Sequence, residues 1–435
     1  MKKTLFYINL FLIFLFQFIS EVVSPIPTLV FAFLCITAFL LVNTSQLMGL
    51  YLYLIPLSSG AILYLVNILF LIFLIIHFRK EIQLNKAFIL IFLIILIESA
   101  HVFINVNTGL DESIIKLLGF AACILLFGFI ETFSKSIDVK GTFNLLIFGV
   151  MGFILITTGI YIFKYNISDF FNEIRRFGFV PHKREDEMAG LIINPNTVGK
   201  YCAFIITMVL SFNYFGKISF NIWYLGVLVS ISIVGLLTLS RTFLLVLGLI
   251  LIIYLFFSIL DKKIFPIIMF GIILSIFIGV LIFNEGLMDS LYSRLFDSND
   301  ITGSRFTIYT QYLMILLSNG MILLFGVGMQ NYMDKFSKID YTITQSTHNV
   351  LLEVLSIWGI IGLIIVILLF AYIIFTSKLW LLNSKAKAII LLPFLVVIIS
   401  AFFGQFFISY YHTFGITLFS LVILYDKEVV VNGQG

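Results

Sequence analysis

Charge is what this sequence lacks. Only 11% of its 435 residues are Asp, Glu, Lys or Arg, against about 25% in a soluble globular protein. From Val22 to Ile76 there is no acidic, basic or histidine residue. A membrane span needs about 20 consecutive apolar residues, so that stretch alone has room for two or three. Cysteine is scarce too. Cys35, Cys123 and Cys202 each stand alone in an apolar run, which argues against disulfides or a cysteine metal site and leaves them as small buried hydrophobes. An HExxH pair, a Walker loop and a GxSxG elbow are all missing. Asp297-Ser298-Asn299-Asp300 has the look of a metal-binding turn, but an exposed Asp/Asn-rich loop explains it better. The expectation is metal-independent chemistry with no cofactor. No basic stretch is interleaved with aromatics, so nucleic acid is not an expected partner.

What is present is apolar sequence, 61% of the chain. Apolar runs fall at about 4–20, 25–42, 46–58, 60–78, 86–104, 113–133, 143–163, 191–213, 219–238, 241–260, 264–283, 349–376, 388–404 and 406–425. They do not alternate polar and apolar residues as barrel strands would. The expected fold is all-α: a polytopic transmembrane helical bundle of 12–14 spans with a large extracytoplasmic loop. The third run is short and ends in a tight hairpin at Pro56–Gly60, and the last two are readable as one span plus a re-entrant piece. Lys2-Lys3 and the run behind them resemble a signal peptide. No small-x-small site follows, so an uncleaved first span is expected.

Placing the N-terminus in the cytoplasm puts Lys2, Lys3, Arg79, Lys80, Lys86, Lys135, Lys140, Lys217, Lys262, Lys263, Lys378, Lys385, Lys387 and Lys427 in interior loops. This positive-inside bias predicts an even span number and both termini in the cytoplasm. Other basic residues cluster in two longer exterior loops, where the charge rule is weaker. One, 164–190, holds Lys164, Arg175, Arg176, Lys183 and Arg184. The other, 284–348, holds Arg294 and Arg305. No domain boundary or internal repeat is visible, so 1–435 reads as a single membrane domain.

Candidate site residues are the ionisable groups that this apolar setting makes costly. Arg241 stands at an exterior helix mouth before the uncharged run to Leu260; taken alone, it is equally readable as an interfacial side chain reaching lipid headgroups. Arg305, in Gly303-Ser304-Arg305, precedes an amphipathic stretch over 308–324, and alone reads as a solvated loop charge. Gly326-Val327-Gly328 is a turn whose amides offer themselves to an anion. His348, in Ser346-Thr347-His348-Asn349, is suited to proton transfer near neutral pH, although this run also reads as a helix cap. Glu353 lies one turn deeper. Pro195 at the first helical position with Asn194 as cap starts another helix at the exterior surface, carrying Asn196 and, one turn on, Lys200. Glu98 and His101 share a helix face. Gln405 and His412 sit near the last hairpin.

The order of these motifs resembles the O-antigen ligase and polymerase (Wzy-like) superfamily over about residues 190–365. It runs Asn194-Pro195-Asn196, Leu239-Ser240-Arg241, Gly303-Ser304-Arg305, Gly326-Val327-Gly328, His348-Asn349 and Trp358-Gly359-Ile360-Ile361-Gly362. The resemblance implies an integral-membrane, lipid-sugar-dependent glycosyltransferase whose donor is a glycan on undecaprenyl pyrophosphate. It maps the family's functional positions onto Arg241, Arg305 and His348. Ligase members carry further Gly and Thr residues after the His-Asn pair; here Gly359 and Gly362 are present without a Thr pair.

On this reading the chain is most like a Wzy-type polysaccharide polymerase in the bacterial inner membrane, with its site extracytoplasmic. Asn194, Asn196, Lys200, Arg294, Asn349 and Glu353 are expected to bind substrate. Expected partners are membrane lipid, the undecaprenyl-pyrophosphate-linked oligosaccharide, and the chain-length regulator and flippase of the same pathway. The alternatives are a ligase moving finished glycan to lipid A core, and a flippase for the same lipid-linked sugar. Flippases of repeat architecture interrupt helices in both halves, whereas one large loop occurs here.

Overall fold

Every regular element among the described residues is helical. The structure, a computed structural model, describes residues 2–58, 60–82, 84–104, 110–164, 176–178, 194–219, 221–260, 264–282, 292, 305–330, 332–343, 345–408 and 410–426. Arg294, Arg175, Lys183 and Arg184 lie outside the described residues, as do most of 164–190 and the segment 293–304. Helices suit so apolar a chain, because each satisfies its own backbone polar groups where no water is available to do so. Among the described residues seven helices are long and apolar enough to cross a membrane, and four shorter apolar helices accompany them. This is the architecture of an all-α, polytopic integral membrane protein.

The first half of the bundle contains α1 (Lys2–Phe18), α2 (Thr28–Leu41), α3 (Leu47–Leu54), α4 (Gly60–Phe78), α5 (Lys86–Ile104), α6 (Leu110–Leu125) and α7 (Val139–Lys164). The short run at 46–58 holds no helix long enough to cross a membrane. Helix α3 has eight residues and continues as a single tight turn to Leu57. At about 1.5 Å per residue this covers roughly half of the ~30 Å hydrocarbon core. Every residue from Leu47 to Leu57 is buried, packed chiefly on α7. Gly149 permits that contact, since a Cβ there would lie 2.5 Å from the Tyr53 carbonyl oxygen.

The second half contains α8 (Pro195–Tyr214), α9 (Ile222–Leu237), α10 (Arg241–Leu260), α11 (Ile264–Ile282), α15 (Val350–Thr376), α16 (Ser384–Phe402) and α17 (Tyr410–Ile423). Asparagine caps recur here. Asn194, Asn221, Asn349 and Asn383 each accept from amides of the first turn, which satisfies donors that a helix start leaves open. Helix α8 is the innermost, buried on almost every face from Val198 to Phe212 and surrounded by α9, α10 and α16. At one end of the bundle Lys135, Lys140 and Lys217 border a hollow with Thr376 and Tyr425, and Lys217 pairs with Asp426. The opposite end carries the helix starts at Pro195, Arg241 and Val350.

Between α11 and α15 lie three lid helices, α12 (Arg305–Ser318), α13 (Gly320–Phe325) and α14 (Tyr332–Ile339). Ile308, Tyr312, Ile315 and Leu316 of α12 face inward, and Tyr312 stacks on Phe336 of α14 at 4.8 Å. Phe306, Met314 and Leu317 point outward and are exposed, a bare apolar face suited to lipid.

The Gly326-Val327-Gly328 turn does not present its amides to a ligand. Val327 N donates to Ser356 O at 2.9 Å, Gly328 N to Ile357 O at 2.8 Å, and Met329 N to both Glu98 carboxylate oxygens at 3.0 Å. The cause is a break in α15 at Gly359 (φ 65°, ψ −165°), which interrupts the helical ladder and leaves carbonyls of the preceding turn for the lid. Here glycine is required on both sides. A Cβ at Gly326 would lie 2.2 Å from Ile357 O, and one at Gly359 would lie 2.3 Å from Leu324 backbone. Glu98 also accepts from Trp358 Nε1 at 2.8 Å, and His101 bonds Phe325 O at 2.9 Å. The face shared by Glu98 and His101 is thus the seat of the lid.

Candidate functional site

The site forms where four loop-proximal segments meet at the lid end of the bundle. The first is the start of α8. Asn194 Oδ1 accepts from Asn196 N at 2.9 Å, and Pro195 suits the first helical position because it has no amide hydrogen to satisfy. Asn196 Oδ1 accepts from Arg176 Nη2 at 2.9 Å, and Arg176 Nε donates to Thr238 O at 3.0 Å. Arg176 thereby ties α8 to the second segment, the turn 237–241.

That turn is tight. Leu239 is left-handed at φ 49°, and Ser240 Oγ accepts from Phe243 N at 3.3 Å, so α10 begins at Arg241. Gly199 lets α8 approach, since a Cβ there would lie 3.0 Å from Phe243 Cβ and 3.3 Å from Ser240 Cβ.

The third segment is 345–349. His348 is left-handed, φ 46°, and its carbonyl accepts from the Tyr309 hydroxyl at 3.2 Å. Asn349 caps α15, accepting from Leu351 N at 3.0 Å and Leu352 N at 3.2 Å, and its Nδ2 donates to Phe402 O at 3.4 Å.

The fourth is the hairpin 402–412 between α16 and α17. Two buried ionisable residues hold it from inside. Glu353 accepts from Phe406 N at 2.9 Å and Ile408 N at 2.6 Å. Lys200 donates to Thr413 Oγ1 at 3.2 Å and reaches Gln405 O at 3.5 Å. Gln405 Nε2 donates to Ser346 Oγ at 2.5 Å, joining the hairpin to the histidine segment.

These segments enclose a cavity of about 240 Å³, bordered by Asn196, Lys200, His348, Phe403, Gln405 and His412 among others. Arg305, the first residue of α12, sets its guanidinium 6.0 Å from the centre of the Phe403 ring, a cation–π distance. Partial burial lowers the Arg305 pKa from its ordinary value; Tyr309 opposes that shift and Arg241 adds to it. Partial burial likewise lowers the His348 pKa, and Arg305 lowers it further. Arg305 thus interacts electrostatically with both Arg241 and His348. Its positive charge favours the neutral, base form of the imidazole.

Of the residues expected from sequence, Asn194, Asn196, Lys200 and His348 border the cavity, whereas Arg241, Arg305, Asn349 and Glu353 do not line it; Asn349 caps α15 and Glu353 holds the hairpin. Gln405 and His412 belong to the cavity wall, a placement that their position near a hairpin did not indicate. Arg176 was visible only as one of several basic loop residues. Among the described residues no group of three or more His, Cys, Asp and Glu is placed to hold a metal ion.

Residues 225–367 match the O-antigen ligase family. The matched stretch contains Arg241, Arg305, His348 and Glu353, whereas the start of α8 and the 402–412 hairpin lie outside it. No curated protein matches the chain.

Proposed function

We propose, from the match of residues 225–367 to the O-antigen ligase family, that the chain assembles polysaccharide from lipid-linked oligosaccharides and is a polysaccharide polymerase. It transfers a growing glycan from undecaprenyl pyrophosphate to the non-reducing end of a new lipid-linked repeat unit. The observation that carries this reading is that His348 borders a polar cavity whose Phe403 ring lies 6.0 Å from the Arg305 guanidinium.

In the proposed reaction His348 takes the proton from the acceptor hydroxyl. The acceptor oxygen bonds to the anomeric carbon of the donor as the bond from that carbon to the pyrophosphate oxygen breaks, and direct displacement inverts the configuration. Undecaprenyl pyrophosphate departs with the electron pair. Arg241 and Arg305 hold its developing charge, a task suited to a permanently charged, bidentate donor. Asn194, Asn196, Lys200 and Arg294 are proposed to contact substrate, with Asn349 and Glu353 shaping the site behind them.

In this reading the lid end faces the extracytoplasmic side of the bacterial inner membrane, and both termini lie in the cytoplasm. A flippase that delivers the substrate and a chain-length regulator complete the proposed pathway.

The test is gene deletion with glycan length analysis, complemented by His348→Ala and Arg305→Lys. Single repeat units on the final acceptor, unrepaired by either variant, are the expected result. Long chains stranded on the lipid carrier would identify a ligase instead. Repeat units accumulating on the cytoplasmic side would identify a flippase. Wild-type polymer from both variants would overturn the mechanism.

A further inference from the structure

The cavity combines cationic and neutral groups. Lys200 borders it, and the Arg305 guanidinium stands 6.0 Å from the ring of Phe403 in its wall. Its wall is largely built from neutral hydrogen-bonding groups: the carboxamides of Asn196 and Gln405, the hydroxyl of Ser400 and the imidazole of His412, with the Phe403 ring beside them. Carboxamides and imidazoles both donate and accept, as sugar hydroxyls do, and an aromatic ring offers a flat apolar surface. A pyrophosphate would leave such acceptors idle.

His412 stands out within this wall. Its Nδ1 is buried and has no hydrogen-bond partner among the described residues. A buried polar atom without a partner costs about 1–3 kcal/mol, and among the described residues His412 is the one that both carries such an atom and borders this cavity. The residue is held firmly, because Tyr201 OH donates to the His412 carbonyl at 2.9 Å. Gln405 is held as firmly, between Ser346 Oγ and the Lys200 ammonium on its own carbonyl. Neither residue lies in the stretch that matches the family.

We infer that this wall is the acceptor-sugar subsite, in which His412 and Gln405 hydrogen-bond hydroxyls of the non-reducing terminal sugar of the incoming repeat unit and so select it. The inference rests on the polymerase reading for the direction of transfer, but binding of the sugar does not depend on catalysis. With the terminal sugar on this wall, a hydroxyl is presented to His348, and the donor pyrophosphate takes the arginine side.

The experiment is therefore a binding measurement. The probe is the repeat-unit oligosaccharide released by mild acid from lipid-linked material of cells lacking the gene, with maltotriose as the control glycan. Saturation-transfer NMR on the full chain in detergent should show binding of the repeat unit and none of maltotriose. His412→Ala and Gln405→Ala should each weaken binding about tenfold or more, and His412→Gln, which keeps a donor and an acceptor, should recover most of it. Thermal unfolding of each variant separates lost binding from lost fold, and if His412→Ala does not fold, Gln405→Ala decides. No binding by the wild type, or wild-type affinity in Gln405→Ala and in the folded histidine variants, overturns the subsite. Chain elongation is assayed in the same preparation. Glycan binding without any transfer overturns the polymerase reading and leaves the subsite standing; transfer that these variants do not affect overturns the subsite alone.

Discussion

His348 combines two properties that substitutions can separate. Its backbone is left-handed, a conformation that costs about 1–3 kcal/mol for most residues and that Asn and His adopt more readily than others. His348→Asn should therefore keep the wild-type thermal midpoint within about 2 °C while abolishing polymer synthesis. A large loss of stability would show that the ring, rather than the backbone, holds the segment. The imidazole also sets a pH dependence. Its pKa is lowered from 6.5, first by burial and then by Arg305, so the base form is present above that lowered value and lost as pH falls through it. The elongation rate should fall on the acid side with a midpoint below 6.5. In Arg305→Gln the remaining rate, reduced about 10²–10³-fold as for other lost electrostatic donors, should show that midpoint moved upward. A midpoint that stays in place would sink the coupling. Arg241, Arg305 and His348 were singled out in the sequence by the ordered motifs that resemble the family; taken alone, Arg241 is equally readable as an interfacial charge and Arg305 reads as a solvated one. The roles of Gln405 and His412 were not legible. Gln405 meets Ser346 across 59 residues, and Lys200 meets Thr413 across 213, and no local pattern encodes either meeting.

Among the elements, the hairpin 402–412 depends on Glu353. The carboxylate is fully buried and accepts two backbone amides, so Glu353→Ala should destabilise the protein by about 2–6 kcal/mol, about 1–3 for each amide left without an acceptor. Thermal unfolding in detergent measures this, and an unchanged midpoint would mean that the hairpin is held elsewhere. The lid has an equivalent sensitivity at Gly359. An alanine there would adopt an unfavourable φ and press on the Leu324 backbone, so Gly359→Ala should free the lid and expose 325–329 to protease. Sequence reading found the long helices through their apolar runs, with Asn194 and Asn349 as caps. It left α3 open, because a buried half-helix and a membrane span have the same composition and differ only in length. It failed at Gly326-Val327-Gly328, because only the break in α15 shows which carbonyls those amides meet.

For the whole molecule the proposed orientation has a direct test. Cys35, Cys123 and Cys202 are buried, so a membrane-impermeant maleimide should leave the wild-type chain unlabelled in intact cells. A cysteine at Tyr341, which is 89% exposed on the lid, should label from outside, and one at Lys385 should label only after the membrane is opened. The reverse pattern would place the lid in the cytoplasm. The bundle itself was legible from chargelessness alone, and the positive-inside bias supplied its expected orientation. The depth at which each run ends required coordinates.

Helix α15 carries four of the contacts that define both halves of this site. Asn349 reaches the hairpin at Phe402, Glu353 holds it at Phe406 and Ile408, Trp358 meets Glu98, and Gly359 receives the lid. The cavity wall and the lid are thus indexed to one rod, and their relative angle is set by residue count. One residue inserted between Glu353 and Trp358 would turn the rod by about 100° and lengthen it by about 1.5 Å. No side-chain substitution makes that change. Such a chain could seat its hairpin or its lid, but not both at once, so the five-residue interval here should tolerate replacement far better than it tolerates a change of length.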